Sequence, residues 1–394
     1  MSPLKNFIEK EKKFRFTHIH LENWRNFLRI DADLQKRVFL VGPNASGKSN
    51  FLDVFRFLHD IVSVGGGFLD AVRKRGGVSD LRCLSARKFP DIAVRVRAGS
   101  GLKEIAEWEY ELHFTLDNRR MPLIKKERVL RDGKEILNRP NDEDRQDPER
   151  LTQTYLQQVN VNREFREVAD FFSTVRYLHI VPQLVREPDR SVGMKNDPYG
   201  GDFLEQIART PDRTREARLN RIRDALRIAV PQLEEIALDR DERGTPHLKG
   251  KYAHWRPRDA WQNEDQFSDG TLRLLGLLWS LLDGGGPLLL EEPELSLHEG
   301  VIRFIPQILA RIQRRSGRQV LLSTHSSDLL RDDGIGLDEV LLLIPSSEGT
   351  EVRPAKQIRE IEELLEAGIS LPEIVIPRTR PERAEQLSLF GDGK

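Results

Sequence analysis

Gly42-Pro-Asn-Ala-Ser-Gly-Lys-Ser49 decides the reading of this chain. It fits the pattern G-x-x-x-x-G-K-[ST]. A short apolar strand, Val38 to Val41, runs straight into it. After it, residues 48–62 carry Phe51, Leu52, Phe55 and Leu58 at helical spacing. Strand, glycine loop and helix in that order are the context in which such a loop holds phosphate. The glycines let backbone amides converge on phosphate oxygens, where a Cβ would obstruct them. The helix adds its positive end. Lys48 supplies a mobile charge for the β- and γ-phosphates, and the Ser49 hydroxyl can ligate magnesium.

Three further stretches follow in order: Phe267-Ser-Asp-Gly-Thr271, Leu288-Leu-Leu-Glu-Glu-Pro-Glu294 and Ser323-Thr-His325. The apolar run Leu288 to Leu290 reads as a buried strand ending in two acids. A buried carboxylate must be paired or bind a metal. We assign Glu291 to magnesium and Glu292 to orienting or deprotonating the attacking water. Ser268 and Gly270 precede a helix, where a hydroxyl and bare amides form an anion site. His325 leaves the sheet at the carboxyl end of a strand, where ligands of α/β sheets bind, so its imidazole is placed to meet the γ-phosphate. Each piece alone has a plainer reading: a helix cap, two solvated acids, a loop histidine. The ordered set predicts ATP binding and hydrolysis coupled to closure of a dimer.

The bulk numbers set limits. At 394 residues the chain can bury one large core or two smaller ones. The formal net charge is zero, so no global field draws it to nucleic acid or an anionic membrane. Any DNA contact must come from a local basic patch. The best is the arginine-rich helix from Arg213 to Arg227, with Arg73-Lys-Arg75 second. Intervening acids such as Glu216 and Asp224 favour a solvated, self-paired face there. The single cysteine, Cys83, rules out an intramolecular disulfide and a cysteine-rich metal site, and fits a reduced, cytoplasmic setting. Residues 1–13 lack the apolar run of a secretion signal. The most apolar stretch, 272–282, is too short to span a bilayer and contains Arg273, so no membrane partner is expected.

Along the chain, residues 1–90 read as the N-terminal part of an ATPase head, and 91–185 as a β-rich and helical insertion. Residues 186–260 read as a helical lobe, 261–376 as the C-terminal part of the head and 377–394 as a flexible tail. In the insertion, 92–96 and 108–114 alternate, and Asp132-Gly133 is a hairpin turn between 125–130 and 134–137. Residues 138–150 read as an exposed loop and 152–172 as mostly helical. Residues 176–181 read as a strand, 301–314 as one helix and 356–367 as an amphipathic helix stopped by Gly368. His18 and His20 alternate on a strand without cysteines nearby and read as structural.

These residues resemble the ABC-type ATPases of the RecF and SMC lineage. The closer match is to compact stand-alone and OLD-like members, including the ATPase subunits of the Septu and PARIS defence systems. The resemblance runs from Phe14 to about Ile376. It rests on Leu21-Glu-Asn-Trp-Arg-Asn-Phe27, Gly42-Pro-Asn-Ala-Ser-Gly-Lys-Ser-Asn50, Phe267-Ser-Asp-Gly-Thr-Leu-Arg273, Leu290-Glu-Glu-Pro-Glu-Leu-Ser-Leu-His298 and Ser323-Thr-His325. It implies an α/β fold: an ABC-type P-loop head with a mixed, largely parallel core sheet, an antiparallel β insertion and a helical lobe. It implies ATP and Mg2+ as ligands and a homodimer sandwiching two ATP molecules. Asn44, Gly47, Lys48, Ser49 and Asn50 would hold nucleotide in one subunit, and Ser268 and Gly270 would serve the partner's. Ser49 and Glu291 would hold the metal; Lys48, Glu292 and His325 would act in catalysis. The segment Ser296 to His298 would cross the dimer seam, and Asn23 to Phe27 would lie near the base. A Q-loop glutamine is implied, for which Gln183 stands after its strand without being assigned. Glu291 departs from the aspartate of many relatives. No long coiled coil and no Toprim-like acidic cluster is present, so any nuclease or toxin would be a separate effector subunit.

In the tail, Gln386-Leu-Ser-Leu-Phe390 resembles the pentapeptide by which bacterial replication proteins bind the β sliding clamp. An extended tail can insert Leu389 and Phe390 into an apolar pocket; packing back onto its own domain is the alternative. The expected role is thus a cytoplasmic ATPase of DNA maintenance or anti-phage defence that switches DNA or effector binding. An ATP-bound scaffold holding a toxin or nuclease, and the nucleotide-binding subunit of a transporter, are the rival readings.

Overall fold

The computed structural model describes residues 14–86, 91–191, 197, 199–253 and 261–379. The tail segment 386–390 lies outside the described residues. The first seven strands are β1 (Arg15–Trp24), β2 (Phe27–Asp33), β3 (Arg37–Val41), β4 (Ile92–Gly99), β5 (Trp108–Leu116), β6 (Pro122–Arg131) and β7 (Lys134–Arg139). Then come β8 (Arg176–Leu178), β9 (Leu233–Arg240), β10 (Pro246–Tyr252), β11 (Trp261–Asn263), β12 (Leu288–Glu291), β13 (Val320–Thr324), β14 (Val340–Ser346) and β15 (Gly349–Pro354). They form three sheets, in the orders β2-β1-β4-β5-β6-β7, β11-β10-β9 and β15-β14-β3-β13-β12-β8.

The last of these carries the motifs. β3 pairs in parallel with β13 and β14, and β12 in parallel with β13 and β8; only β15 is antiparallel. Such strands are covered on both faces and read as continuous apolar runs. Alternation then sends neighbouring residues into different cores. Val38, Leu40, Leu289 and Leu321 join the cluster that includes Phe51 and Phe55 of the Lys48–Val62 helix and the antiparallel sheet. Phe39, Val41, Leu288, Leu290 and Leu322 join the cluster built with Leu272 and Trp279 of the Asp269–Leu282 helix and with Leu219 and Leu226. The fold is the mixed α/β head expected from the sequence.

Several boundaries differ from expectation. The antiparallel strands do not form a separate unit, because β4 pairs along β1 from Arg15 to Glu22 and so continues a sheet begun before the glycine loop. Residues 186–260 are helical only as far as the Asp212–Ala229 helix; β9, β10 and β11 then make the small sheet. Residues 152–172 contain one short helix, Arg166–Ser173, after a run of turns. There Asn162 donates Nδ2–H to the Leu156 carbonyl and forms a turn where helical spacing suggested a helix. The helix expected over 301–314 is broken at Phe304 into Glu299–Ile302 and Ile305–Ser316. The arginine-rich helix pairs much of its charge: Arg215 with Asp212, Arg218 with Asp283 and Arg223 with Asp224. His18 and His20 lie against Asp31, consistent with a structural place on β1.

Residues 138–150 are mostly exposed, as their composition suggests, but they include a short helix, Asp142–Gln146, and bury two charged side chains. Arg139 is fully buried with Glu127 and Asp144. Its guanidinium donates to Glu127 Oε2 at 2.8 Å, to Asp144 Oδ1 at 2.7 Å and to the Gln153 and Arg150 carbonyls at 2.9 Å. It also lies 3.7 Å over the Tyr155 ring. This knot ties β6 and β7 to the irregular segment that follows. Removing its central cation would leave two buried carboxylates without their nearest counter-charge. Arg139→Met is expected to cost about 3–5 kcal/mol, read as a lower urea midpoint. A midpoint within error of the parent would contradict this.

On the neighbouring strands, burial alone would raise the Glu111 carboxyl, but His113, Lys126 and Arg128 outweigh it and hold the value at about 2. Because the folded value lies below the ordinary 4.5, this group's contribution is complete above that pH and fades as pH falls towards about 2. Glu111→Gln should therefore flatten the fall in stability across that acid window while leaving its shape near neutrality unchanged, as followed by urea melts at stepped pH.

Candidate nucleotide and magnesium site

The phosphate loop leaves β3 and enters the Lys48–Val62 helix through left-handed backbone at Ala45 (φ 63°) and Gly47 (φ 92°). Glycine is required at 47 for a second reason: a Cβ there would stand 2.2 Å from Asn26 Nδ2. Asn26 is the clamp of the loop. It donates Nδ2–H to the Ser46 carbonyl at 2.9 Å and to Thr350 Oγ1 at 2.8 Å, and its Oδ1 accepts from Asn50 Nδ2 at 2.8 Å. Its own carbonyl accepts from the Thr350 amide at 2.8 Å. Trp24 Nε1 donates to the Asn50 carbonyl at 3.0 Å. Strands β1, β2 and β15 thus hold the loop from behind.

Lys48 is buried and turned back on the loop, donating to the Gly42 and Pro43 carbonyls at 2.9 and 3.1 Å. Its Nζ lies 3.7 Å from Glu292 Oε1. The Ser49 hydroxyl donates to Glu291 Oε1, and the Tyr177 hydroxyl donates to Oε2 of the same carboxylate. Burial, then the negative charge of Glu291, pushes the Tyr177 hydroxyl well above its ordinary value, so it stays a donor. Glu292 adopts φ 42° directly after β12, and its amide donates to the Ser323 carbonyl at 3.2 Å. His325 Nδ1 lies 3.1 Å from Glu292 Oε1. Just beyond, Glu294 is buried and its carboxyl raised by that burial; Thr324 Oγ1 donates to it at 2.5 Å.

Lys48, Ser49, Glu291, Glu292 and His325, far apart in sequence, therefore meet at one edge of the core sheet. Asn44 is exposed on the crest of the loop. Asn50 spends its amide on Asn26, which makes it a loop brace. Among the described residues no hydrogen bond or ion pair joins Ser268 or Gly270 to the phosphate loop. Ser268 caps the Asp269–Leu282 helix, accepting from the Thr271 amide at 3.2 Å. Gly270 lies so close to the Ser296 carbonyl that a Cβ would approach it to 2.5 Å. Arg186 fastens this loop, donating to the Phe267 carbonyl at 2.7 Å and to Asp269 Oδ1 at 2.6 Å. Gln183 is exposed in the short helix Pro182–Val185 and makes no hydrogen bond to the site among the described residues. From the same region Tyr177 and His179 face the acids instead, with His179 Nδ1 3.4 Å from the Glu291 carbonyl. Of the segment Asn23 to Phe27, Trp24 and Phe27 are core residues. A cleft of about 1060 Å3 opens beside Ser49 and Glu291 and runs along the Lys48–Val62 helix past Arg56 and His59.

The donors fit the groups the sequence calls for. A hydroxyl and a carboxylate are the hard oxygen donors that magnesium takes when substrate phosphates complete its shell. Among the described residues no group of three or more His, Cys, Asp or Glu is placed to hold a metal without phosphate. No described helix is long and apolar enough to cross a membrane.

The comparisons with known proteins bear on the family and the fold. Residues 37–332 match the family described as AAA domain, putative AbiEii toxin, type IV TA system, and the chain belongs to that family. A comparison with curated proteins finds no match. Among solved structures, one similar fold is an SMC head bound to the C-terminal winged-helix domain of ScpA. It is 12% identical with TM-score 0.51, covering 86% of this chain and 97% of that one. Another is an SMC head with an extended coiled coil bound to the C-terminal domain of ScpA, from Pyrococcus furiosus. It is 10% identical with TM-score 0.51, covering 90% and 100%. The chain thus has the ATPase head fold of that class, a fold suited to binding ATP.

Tyr177 and Arg186 were not singled out from the sequence, and Asn26 stood only within the segment Asn23 to Phe27 without a role of its own, since each acts through partners distant along the chain. Asn26 yields the clearest consequence. Asn26→Ala removes three side-chain hydrogen bonds, two to the loop and the helix start and one to Thr350. Nucleotide affinity measured by calorimetry should fall roughly tenfold, about 1.4 kcal/mol, with the melting temperature lowered by only a few degrees. Unchanged affinity would remove Asn26 from the account.

Proposed function

We propose that this chain binds ATP with magnesium and hydrolyses it, and that two copies close on the nucleotides. The observation that carries the reading is the meeting of Glu291 with Ser49 and of Glu292 with Lys48 and His325 at the end of β12. On arrival of the triphosphate, Lys48 exchanges the Gly42 and Pro43 carbonyls for phosphate oxygens, a trade of neutral acceptors for charged ones. Gly47 and the amides at the helix start receive the phosphates. Asn44 and Asn50 border the nucleotide. Ser49 and Glu291 would hold the magnesium, which would supply positive charge against the phosphate charge that develops in the reaction. Glu292 orients the attacking water and takes its proton, while His325 steadies that carboxylate and meets the γ-phosphate.

Ser268 is exposed at the start of its helix, Gly270 lies against the Ser296 carbonyl, and among the described residues neither bonds to the phosphate loop of its own subunit. That placement supports their serving the nucleotide of a second copy, with the segment 296–298 beside them at the seam. The head then comprises 1–90 with 261–376, its β extension 91–185 and the lobe 186–260. Closure and reopening would switch binding to DNA or to a separate effector, a nuclease or toxin, in DNA maintenance or phage defence within the cytoplasm. The ScpA-bound SMC heads provide a precedent for a protein partner on this fold. The tail at 386–390 is a candidate ligand of the β sliding clamp.

Glu292→Gln tests the assignment. It keeps shape and hydrogen bonding but removes the base. Steady-state hydrolysis should fall by roughly 10²–10⁴-fold while ATP stays bound and the protein elutes as a dimer on sizing. Hydrolysis at the parental rate would show that another group is the base. Monomeric elution with ATP retained would refute closure by two copies.

A further inference from the structure

β8 and β12 run parallel, with Tyr177 opposite Leu289. In-register neighbours of a parallel pair point to the same face, as do residues two apart on one strand. Tyr177, Leu289 and Glu291 therefore share a face, and the phenol reaches along the sheet to the carboxylate two residues beyond its neighbour. The carboxylate is divided between two donors: Ser49 on Oε1 and Tyr177 on Oε2. The Arg56 guanidinium lies 4.3 Å from the centre of the Tyr177 ring and holds the ring from the cleft side. The length of the acid matters as well. An aspartate at 291 would withdraw the carboxylate by one carbon–carbon bond, about 1.5 Å, away from the phenol.

We propose that Tyr177 is a positioning residue for the magnesium site: it pins Oε2 of Glu291 so that Oε1 is turned to the ion shared with Ser49. This rests on the reading of Ser49 and Glu291 as metal ligands. An ionised carboxylate that must hold one orientation gains from a fixed donor on its far oxygen, and losing such an outer partner typically costs about 10–100-fold in metal affinity or activity. The tyrosine and the glutamate are a matched pair, with the added methylene of one meeting the hydroxyl of the other.

The test uses the full chain with saturating ADP and Mn2+ as the probe, its bound fraction read by electron paramagnetic resonance. Tyr177→Phe keeps the ring under Arg56 and removes only the hydroxyl. Mn2+ should bind on the order of tenfold more weakly, with ADP affinity in EDTA unchanged. In an E291D background, where the carboxylate no longer reaches the phenol, the same change should have no further effect. If Tyr177→Phe weakens Mn2+ equally in both backgrounds, the loss is one of packing and the proposal fails. It fails too if Tyr177→Phe binds Mn2+ like the parent while Glu291→Gln does not. If Glu291→Gln itself binds Mn2+ like the parent, the underlying ligand assignment is what falls.

Discussion

The register of three parallel strands underlies the rest of the molecule. In β12, β13 and β3, Glu291 stands beside Ser323, and Ser323 beside Leu40. The chain leaves all three strands at the same edge. Within two residues of that line come the phosphate loop, Glu292 and His325. A slip of one pairing unit, two residues, would move a carboxylate about 6–7 Å along the sheet and dissolve the site. The two buried clusters that claim alternate residues of each strand hold the register, since a slip of one residue would exchange their contents.

Within that frame the charges are mutually occupied. Lys48 rests on loop carbonyls and near Glu292; Ser49 and Tyr177 share Glu291; His325 attends Glu292. Lys48, Ser49, Glu291, Glu292 and His325 each rest on a neighbour within the group. The left-handed turns at Ala45 and Gly47 shape the loop they stand on. The rigid part is Asn26 with Asn50 and Thr350 behind it; the exchangeable part is the ends of Lys48, Ser49 and the two glutamates.

Much of this was legible in the chain because the signals are local. Strand, glycine loop and helix are contiguous, so Lys48, Ser49 and their helix could be placed from spacing alone. The acids after Leu288 to Leu290 could be read as the end of a buried strand for the same reason. Composition indicated exposure correctly for most of one segment but not for the charged residues that pair inside it. Residues 138–150 are dense in charge, yet Arg139 and Asp144 are fully buried because each supplies the other's missing counter-charge. Residues 233–252 follow a long helix and carry weak alternation, so the small sheet there was not anticipated.

The sequence by itself determined the class of fold and placed the glycine loop and the strand that ends in Glu291, because the spacing of apolar runs and glycines constrains backbone shape wherever it occurs. Only the tertiary structure decided which residues stand behind those groups. Asn26 reaches across to Thr350, Tyr177 to Glu291 and Arg186 to Asp269. Those contacts join points separated by scores to hundreds of residues. They depend on which strands become neighbours, and strand adjacency is settled by the packing of the whole core.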